Sequence, residues 1–268
     1  ASSISTEAVD EGEAVSEENW KKMSAKLKKL PVADYPAMKR SATDWLLASD
    51  NYKAEVRAGR DGKSIVISNG LTARIFRIVP NLATVDIVNQ MSGENMLRAV
   101  SGEGELVING EKWYLGGLEG QPERGYLKLE WLEEMTAKDR SFVVEDFEVT
   151  DSIRTLDWAR SRWALNKKLP TGKSLTFVLR GVDEVKNLKV KLHYDIYDHI
   201  PVIRKHMEIF NEGKEKVNLD SFKLEQLFFA EPESTDGDMS KRYLPNIHVE
   251  SDYTMGGTFW EYATDKTE

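Results

Sequence analysis

Trp158 and Trp163 flank Arg160 and Arg162 in the run Trp158-Ala-Arg-Ser-Arg-Trp163, a dense set of side chains with recognition chemistry. A sugar presents apolar C–H faces that stack on aromatic rings, and a guanidinium offers donors in a fixed fork to hydroxyl oxygens. The stretch from Trp158 to Pro170 lacks strand alternation, so it reads as a loop that could hold these four residues as carbohydrate contacts. The competing reading is structural: Trp is highly buried on average, and either ring could plug the end of a β domain. Trp113 and Tyr114 are adjacent on a strand, which turns one of them inward. Tyr253 and Trp260 sit in a glycine-interrupted apolar stretch that reads as a linker or a buried interface.

Other chemistries are less well served. Retaining glycoside hydrolysis needs two carboxylates about 5 to 5.5 Å apart, and with 45 acidic side chains in the chain a pair picked by eye proves nothing. The histidines are His193, His199, His206 and His248, without His-Glu-x-x-His or comparable ligand spacing, so neither a metal nor a cofactor is expected. His193 and His206 lie on strands expected to pair, on a polar face expected to be solvated. An aldose 1-epimerase would set a His and a Glu on one concave sheet face, and no motif for that pair is evident.

The elements that must position these groups are strands. Lys63 to Ile78 and Glu105 to Tyr114 each read as two apolar-alternating runs folded about Asn69-Gly70 and Asn109-Gly110. A type I′ turn needs positive φ at both central residues, which Asn tolerates and Gly accepts freely. Further strands are expected at 53–58, 83–89, 142–150, 174–180, 188–197, 202–210 and 217–230. In Leu188 to Tyr197 the apolar Leu188, Val190, Leu192, Tyr194 and Ile196 alternate with Lys189, Lys191, His193 and Asp195, giving a core face and a wet one. Upstream, residues 1–16 are acidic and poor in large apolar groups, which predicts a flexible start. A helical extension covers 17–49: Ser16 caps a helix over Glu17 to Leu30 with Trp20, Met23, Leu27 and Leu30 on one face, Pro31 ends it, and a second helical or irregular piece near 37–48 buries Trp45, Leu46 and Leu47. The sandwich is expected over 50–250, and 251–268 reads as a C-terminal segment or linker. Many strands with little helix between them favour an antiparallel sandwich.

Composition agrees. A formal net charge of -8 on 268 residues, with no basic cluster, argues against nucleic acid as a partner. The absence of cysteine excludes disulfides and thiolate metal sites. No apolar run approaches the ~20 residues of a membrane-spanning helix. The polar start without Met reads as a mature terminus, from which a secreted or periplasmic location is inferred.

The run His193-Tyr-Asp-Ile-Tyr-Asp-His-Ile-Pro-Val-Ile-Arg-Lys-His-Met-Glu-Ile-Phe-Asn-Glu-Gly213 resembles a stretch in the N-terminal β-sandwich of alpha-galactosidase-like glycoside hydrolases, those around family 36 in particular. Asn69-Gly70-Leu71, with Thr84 and Asn89 further on, is similar to the opening of that domain, and Trp158 to Leu175 to a later segment. The resemblance spans about residues 50 to 235. It implies a galactose mutarotase-like supersandwich that precedes a catalytic (β/α)8 barrel in the native chain. The family's acid and nucleophile sit on that barrel, so the resemblance carries no catalytic residue onto this chain. It implies a noncatalytic domain, an isolated piece of a longer enzyme, that packs on the barrel, helps shape the substrate cleft and could support a homo-oligomer. The alternatives are a free-standing carbohydrate-binding module and an aldose 1-epimerase-like enzyme.

Overall fold

The computed structural model describes residues 12–38, 44–152 and 170–230. They fall in a unit spanning Ala1–Ala230, and a second unit, Glu231–Glu268, lies outside the described residues. Ser16 accepts a hydrogen bond from the Asn19 amide and starts α1 (Glu17–Leu27), with Glu17 and Glu18 in its positive first turn. The helix stops three residues earlier than its apolar spacing predicts, because the chain tightens into a turn at Lys28 to Leu30 ahead of Pro31. Met23 and Leu27 are its buried face.

The first sheet has five antiparallel strands in sequence order: β1 (Glu55–Ala58), β2 (Ser64–Ser68), β3 (Thr72–Arg77), β4 (Ala83–Asn89) and β5 (Glu94–Asn95). The chain continues through β6 (Leu97–Ala99), β7 (Glu105–Ile108), β8 (Glu111–Leu115), β9 (Leu118–Glu119), β10 (Thr136–Ala137) and β11 (Ser141–Asp151). It then runs through β12 (Gly172–Arg180), β13 (Leu188–Tyr197), β14 (Ile203–Asn211), β15 (Leu219–Lys223) and β16 (Phe228–Phe229). The second sheet has seven strands in the order β14-β13-β12-β11-β8-β7-β15, antiparallel except where β11 runs parallel to β8. Two short ladders, β10-β9 and β16-β6, complete the described set.

The two large sheets share one core, which joins Ile65, Ile67 and Phe76 of the first to Leu106, Trp113, Phe142, Phe177 and Tyr194 of the second. This is a β sandwich with a short N-terminal helix. Phe76 sits at its centre, 5.1 Å from the Phe177 ring and 4.6 Å from that of Tyr194. Trp113 turns inward and Tyr114 outward, with the Lys138 ammonium over its ring. The five-stranded sheet is also covered on its outer face, where Ala33, Tyr35, Leu118, Leu132 and Met135 pack on Val66, Ile75 and Val85. With both faces covered, β2, β3 and β4 are buried almost without alternation, polar Arg74, Arg77, Thr84 and Asp86 included.

Asn109 (φ 51°) and Gly110 (φ 82°) form the expected two-residue turn, with Ile108 opposite Glu111. The other hairpin differs. Ser68 pairs with Ala73, so the turn centres on Gly70-Leu71 with glycine first, the type II′ placement, and Asn69 stays out of the positive-φ region. The reason is its side chain, which accepts from the Leu71 amide and donates to the carbonyls of Tyr197 (2.8 Å) and Ile200 (2.6 Å). Asn69 thereby ties this hairpin to the β13–β14 turn. The shift moves each partner by two residues and so keeps the faces unchanged.

Further expectations are corrected. Leu46 and Leu47 are not buried but 73% and 86% exposed, because Asp44 organises a tight turn there instead of a helix with an apolar side. The stretch 217–230 is broken into β15 and β16, which pair with different strands. The outer face of β13 is not simply wet: Asp195 is 1% exposed, with the Arg204 guanidinium on its carboxylate at 2.5 and 2.8 Å.

Candidate functional site

Trp158, Arg160, Arg162 and Trp163, proposed as carbohydrate contacts, lie outside the described residues, as do His248, Tyr253 and Trp260. The described residues hold a different concentration of chemistry, an ionic cluster between the sheets built from positions far apart in sequence. Arg74 occupies a core-facing site of β3, on the same side as Phe76. Its guanidinium donates to Thr84 Oγ1 (2.8 Å), Glu103 Oε2 (2.8 Å) and Glu225 Oε2 (2.6 Å). Tyr194 donates its hydroxyl to the same Glu103 oxygen, and the Thr84 amide donates to the other. Lys205, on β14, donates to the Glu103 carbonyl and to Glu225 Oε1 (2.9 Å). The guanidinium also lies 4.7 Å from the Tyr194 ring centroid.

Here buried Glu103 and exposed Glu225 are two carboxylates on one guanidinium. Burial alone would raise the Glu103 pKa, but the charges of Arg74 and Lys205, with the hydrogen bonds from Tyr194 and Thr84, hold it well below the usual carboxylate range. A general acid in glycoside hydrolysis must keep its proton near neutral pH. Glu103 cannot, and its oxygens are already occupied by donors. Two cations balance two carboxylates, so the cluster reads as a clamp: Glu225, just past β15, is fastened to β3 and β14 across the sandwich edge.

His193 and Glu208 are not set apart as an epimerase pair would be. His193 and His206 are cross-strand partners on the outer face, stacked with centroids 4.2 Å apart and planes within 3°. His193 Nε2 lies 2.9 Å from Glu208 and Nδ1 2.8 Å from Thr176 Oγ1, so this His and Glu bond each other with no room for a sugar between them. The His206 Nδ1 atom is buried without a hydrogen-bond partner. Burial, with His193 and Arg204 adding to it, lowers the His206 pKa against Asp195 and Glu208. Among the described residues no cluster of three His, Cys, Asp or Glu side chains could hold a metal ion.

A cleft of about 430 Å³ runs along β1, lined by Asp34, Lys53, Glu55, Arg57, Ser68 and Gln90 among others. Its polar groups are largely satisfied by one another, as in Arg57 with Glu55 (2.6 Å) and Ser68 with Gln90 (2.6 Å), and none of its lining residues is aromatic. Aromatic surface occurs instead on the loop between β9 and β10. Tyr126 is 52% exposed and its ring lies 5.3 Å from that of half-buried Trp131, tilted by 38°. Sequence reasoning passed over this pair, because it sits five residues apart in a Glu-rich stretch without strand period.

Β13 and β14, which carry Tyr194, Asp195, Arg204 and Lys205, follow the His193 to Gly213 run whose pattern first suggested a family. Residues 136–239 match the family model of the glycosyl hydrolase family 36 N-terminal domain. The family 36 match takes in β10 to β16, which includes four strands of the seven-stranded sheet beyond its parallel seam. It supports the resemblance read from the motifs. No curated protein and no solved structure matches the chain.

Proposed function

We propose that the chain acts as the noncatalytic N-terminal sandwich of an alpha-galactosidase-like glycoside hydrolase, packing on a downstream catalytic (β/α)8 domain of the native chain and helping to shape its substrate cleft. The observation that carries this reading is the family 36 N-terminal match over residues 136–239. The state of Glu103 supports it, since this buried carboxylate is held in its charged form by Arg74 and Lys205. The Trp158 to Pro170 segment remains the proposed contributor to the cleft, through Trp158, Arg160, Arg162 and Trp163, and a secreted or periplasmic setting and a homo-oligomer belong to the same proposal.

Catalytic silence tests it. The chain alone is expected to release no nitrophenol from aryl α- or β-galactosides, whereas the enzyme that carries its barrel does. Sustained turnover by this chain, abolished by a single Asp or Glu substitution within it, would overturn the assignment.

A further inference from the structure

The geometry points to Asn109-Gly110 as a self-modification site, at which the β7–β8 turn closes to a succinimide, releases ammonia and ends as aspartate or isoaspartate, with Asp220 as the base. The attacking atom is the Gly110 backbone nitrogen, and the carbon attacked is Asn109 Cγ. Asp220 Oδ2 accepts from the Gly110 N–H at 2.7 Å, so the proton has a carboxylate to go to as the nitrogen bonds to Cγ. The Asn218 amide donates to Asn109 Oδ1 at 3.0 Å, which polarises the side-chain carbonyl and holds the charge that gathers on its oxygen. Asn109 Nδ2 meets no acceptor among the described residues and is free to leave. Ring closure needs the hairpin tip to turn. Asn109 is exposed, and Gly110, at φ 82°, has nothing within 4 Å of where a Cβ would stand, so the tip has room to do so.

The steps balance with water as the sole co-reactant. Gly110 N bonds to Asn109 Cγ and gives its proton to Asp220; the tetrahedral centre then breaks its bond to Nδ2, which takes that proton back and departs as ammonia. Water opens the ring at either carbonyl. Cleavage at Cγ leaves aspartate, and cleavage at the Asn109 carbonyl carbon leaves isoaspartate, in which the main chain runs through Cγ. The other Asn-Gly is an internal control. Asn69 is 2% exposed, its Nδ2 donates to the Tyr197 and Ile200 carbonyls and its Oδ1 accepts from the Leu71 and Thr72 amides. The Gly70 amide donates to the Ser68 hydroxyl rather than to a carboxylate. The same dipeptide is locked in one turn and armed in the other. The product matters to the fold, because Asn109 pins the start of β15: its amide donates to the Asn218 carbonyl at 3.0 Å and its Oδ1 takes the Asn218 amide. An added main-chain methylene in a two-residue turn, or a carboxylate beside Asp220, loosens that fastening and with it an edge strand held by one ladder.

The test ages the whole folded chain in neutral buffer at body temperature and follows the peptides around Asn109 and Asn69 by mass spectrometry, with isoaspartate counted by enzymatic methylation. Conversion is expected at Asn109, with loss of ammonia and then gain of water, while Asn69 stays an amide. In urea the two sites are expected to convert at similar rates, because the fold no longer separates them. Asp220→Asn keeps an acceptor of the same shape without the basic charge, and is expected to slow the folded-state conversion about tenfold while its melting temperature stays close to the parent's, since the side chain is exposed. In the aged fraction the β15 amides are expected to exchange with solvent faster than in fresh protein. Absence of conversion at Asn109, conversion at Asn69 as fast in the folded chain, an Asp220→Asn rate equal to the parent's, or unchanged exchange in β15 overturns the proposal.

Discussion

Arg74 and Glu103 face each other at 2.8 Å where neither meets water, and the guanidinium helps to keep the carboxylate charged. Replacing Arg74 by Met leaves Lys205 to balance both Glu103 and Glu225, and a broken buried pair costs about 3–5 kcal/mol. Denaturant unfolding is expected to show that loss for Arg74→Met and a partial recovery in the double variant with Glu103→Gln. Asp86 is the opposite case. It lies under Tyr35, whose hydroxyl donates at 3.3 Å, while its second oxygen has no partner. Burial, which outweighs the hydrogen bonds from Ile87 and Tyr35, pushes its pKa up to about 7. The native state therefore holds this proton more tightly than the unfolded chain does, so stability is full below pH ~4 and falls as pH rises through ~7. Asp86→Asn is expected to melt with the parent at pH 4 and above it at pH 8; equal melting temperatures at both would show that the carboxyl titrates normally. The sequence does hold a sign of the buried clamp: Lys205 interrupts the inward series Ile203, Met207, Ile209, and Arg74 shares a face with Phe76. What it cannot show is that Glu103 and Glu225, 122 positions apart by 225 − 103, meet at one guanidinium.

At the level of elements, turn chemistry and strand period are local and were legible. Β13 occupies Leu188–Tyr197 as its alternation predicts, and the Asn109-Gly110 turn closes β7 on β8 with two residues. Gly110 has φ 82° and nothing within 4 Å of where a Cβ would stand, so its substitution isolates the backbone term. Gly110→Val is expected to cost about 1–2 kcal/mol. Gly116→Ala should cost more, because there the new Cβ also runs into the Leu82 carbonyl at φ 62°. Chemical melts of the two variants side by side check both. Elements failed to be legible where long-range bonds decide them. Asn69 gave up its expected place inside a turn because two carbonyls of the β13–β14 connection claimed its amide. Trp45 to Leu47 looked like a helical patch until Asp44 drew the backbone into a turn.

Across the molecule, the outer cover of the five-stranded sheet and the clamp on its middle strand are the parts that composition could not announce, since both join segments distant in sequence. The clamp also bears on mechanics. Β15 is an edge strand, held by a single antiparallel ladder to β7, and such a ladder pulled from its end opens one bond at a time. Tension applied beyond Ala230 reaches the short β16 pairing first and then Glu225, which is tied by Arg74 to one sheet and by Lys205 to the other. Only after that rivet fails does the load arrive at β15. A force applied at this end should therefore meet a distinct yield point before the sandwich unzips, and a Glu225→Ala chain held in an optical trap should lose that step while keeping the larger rupture of the core.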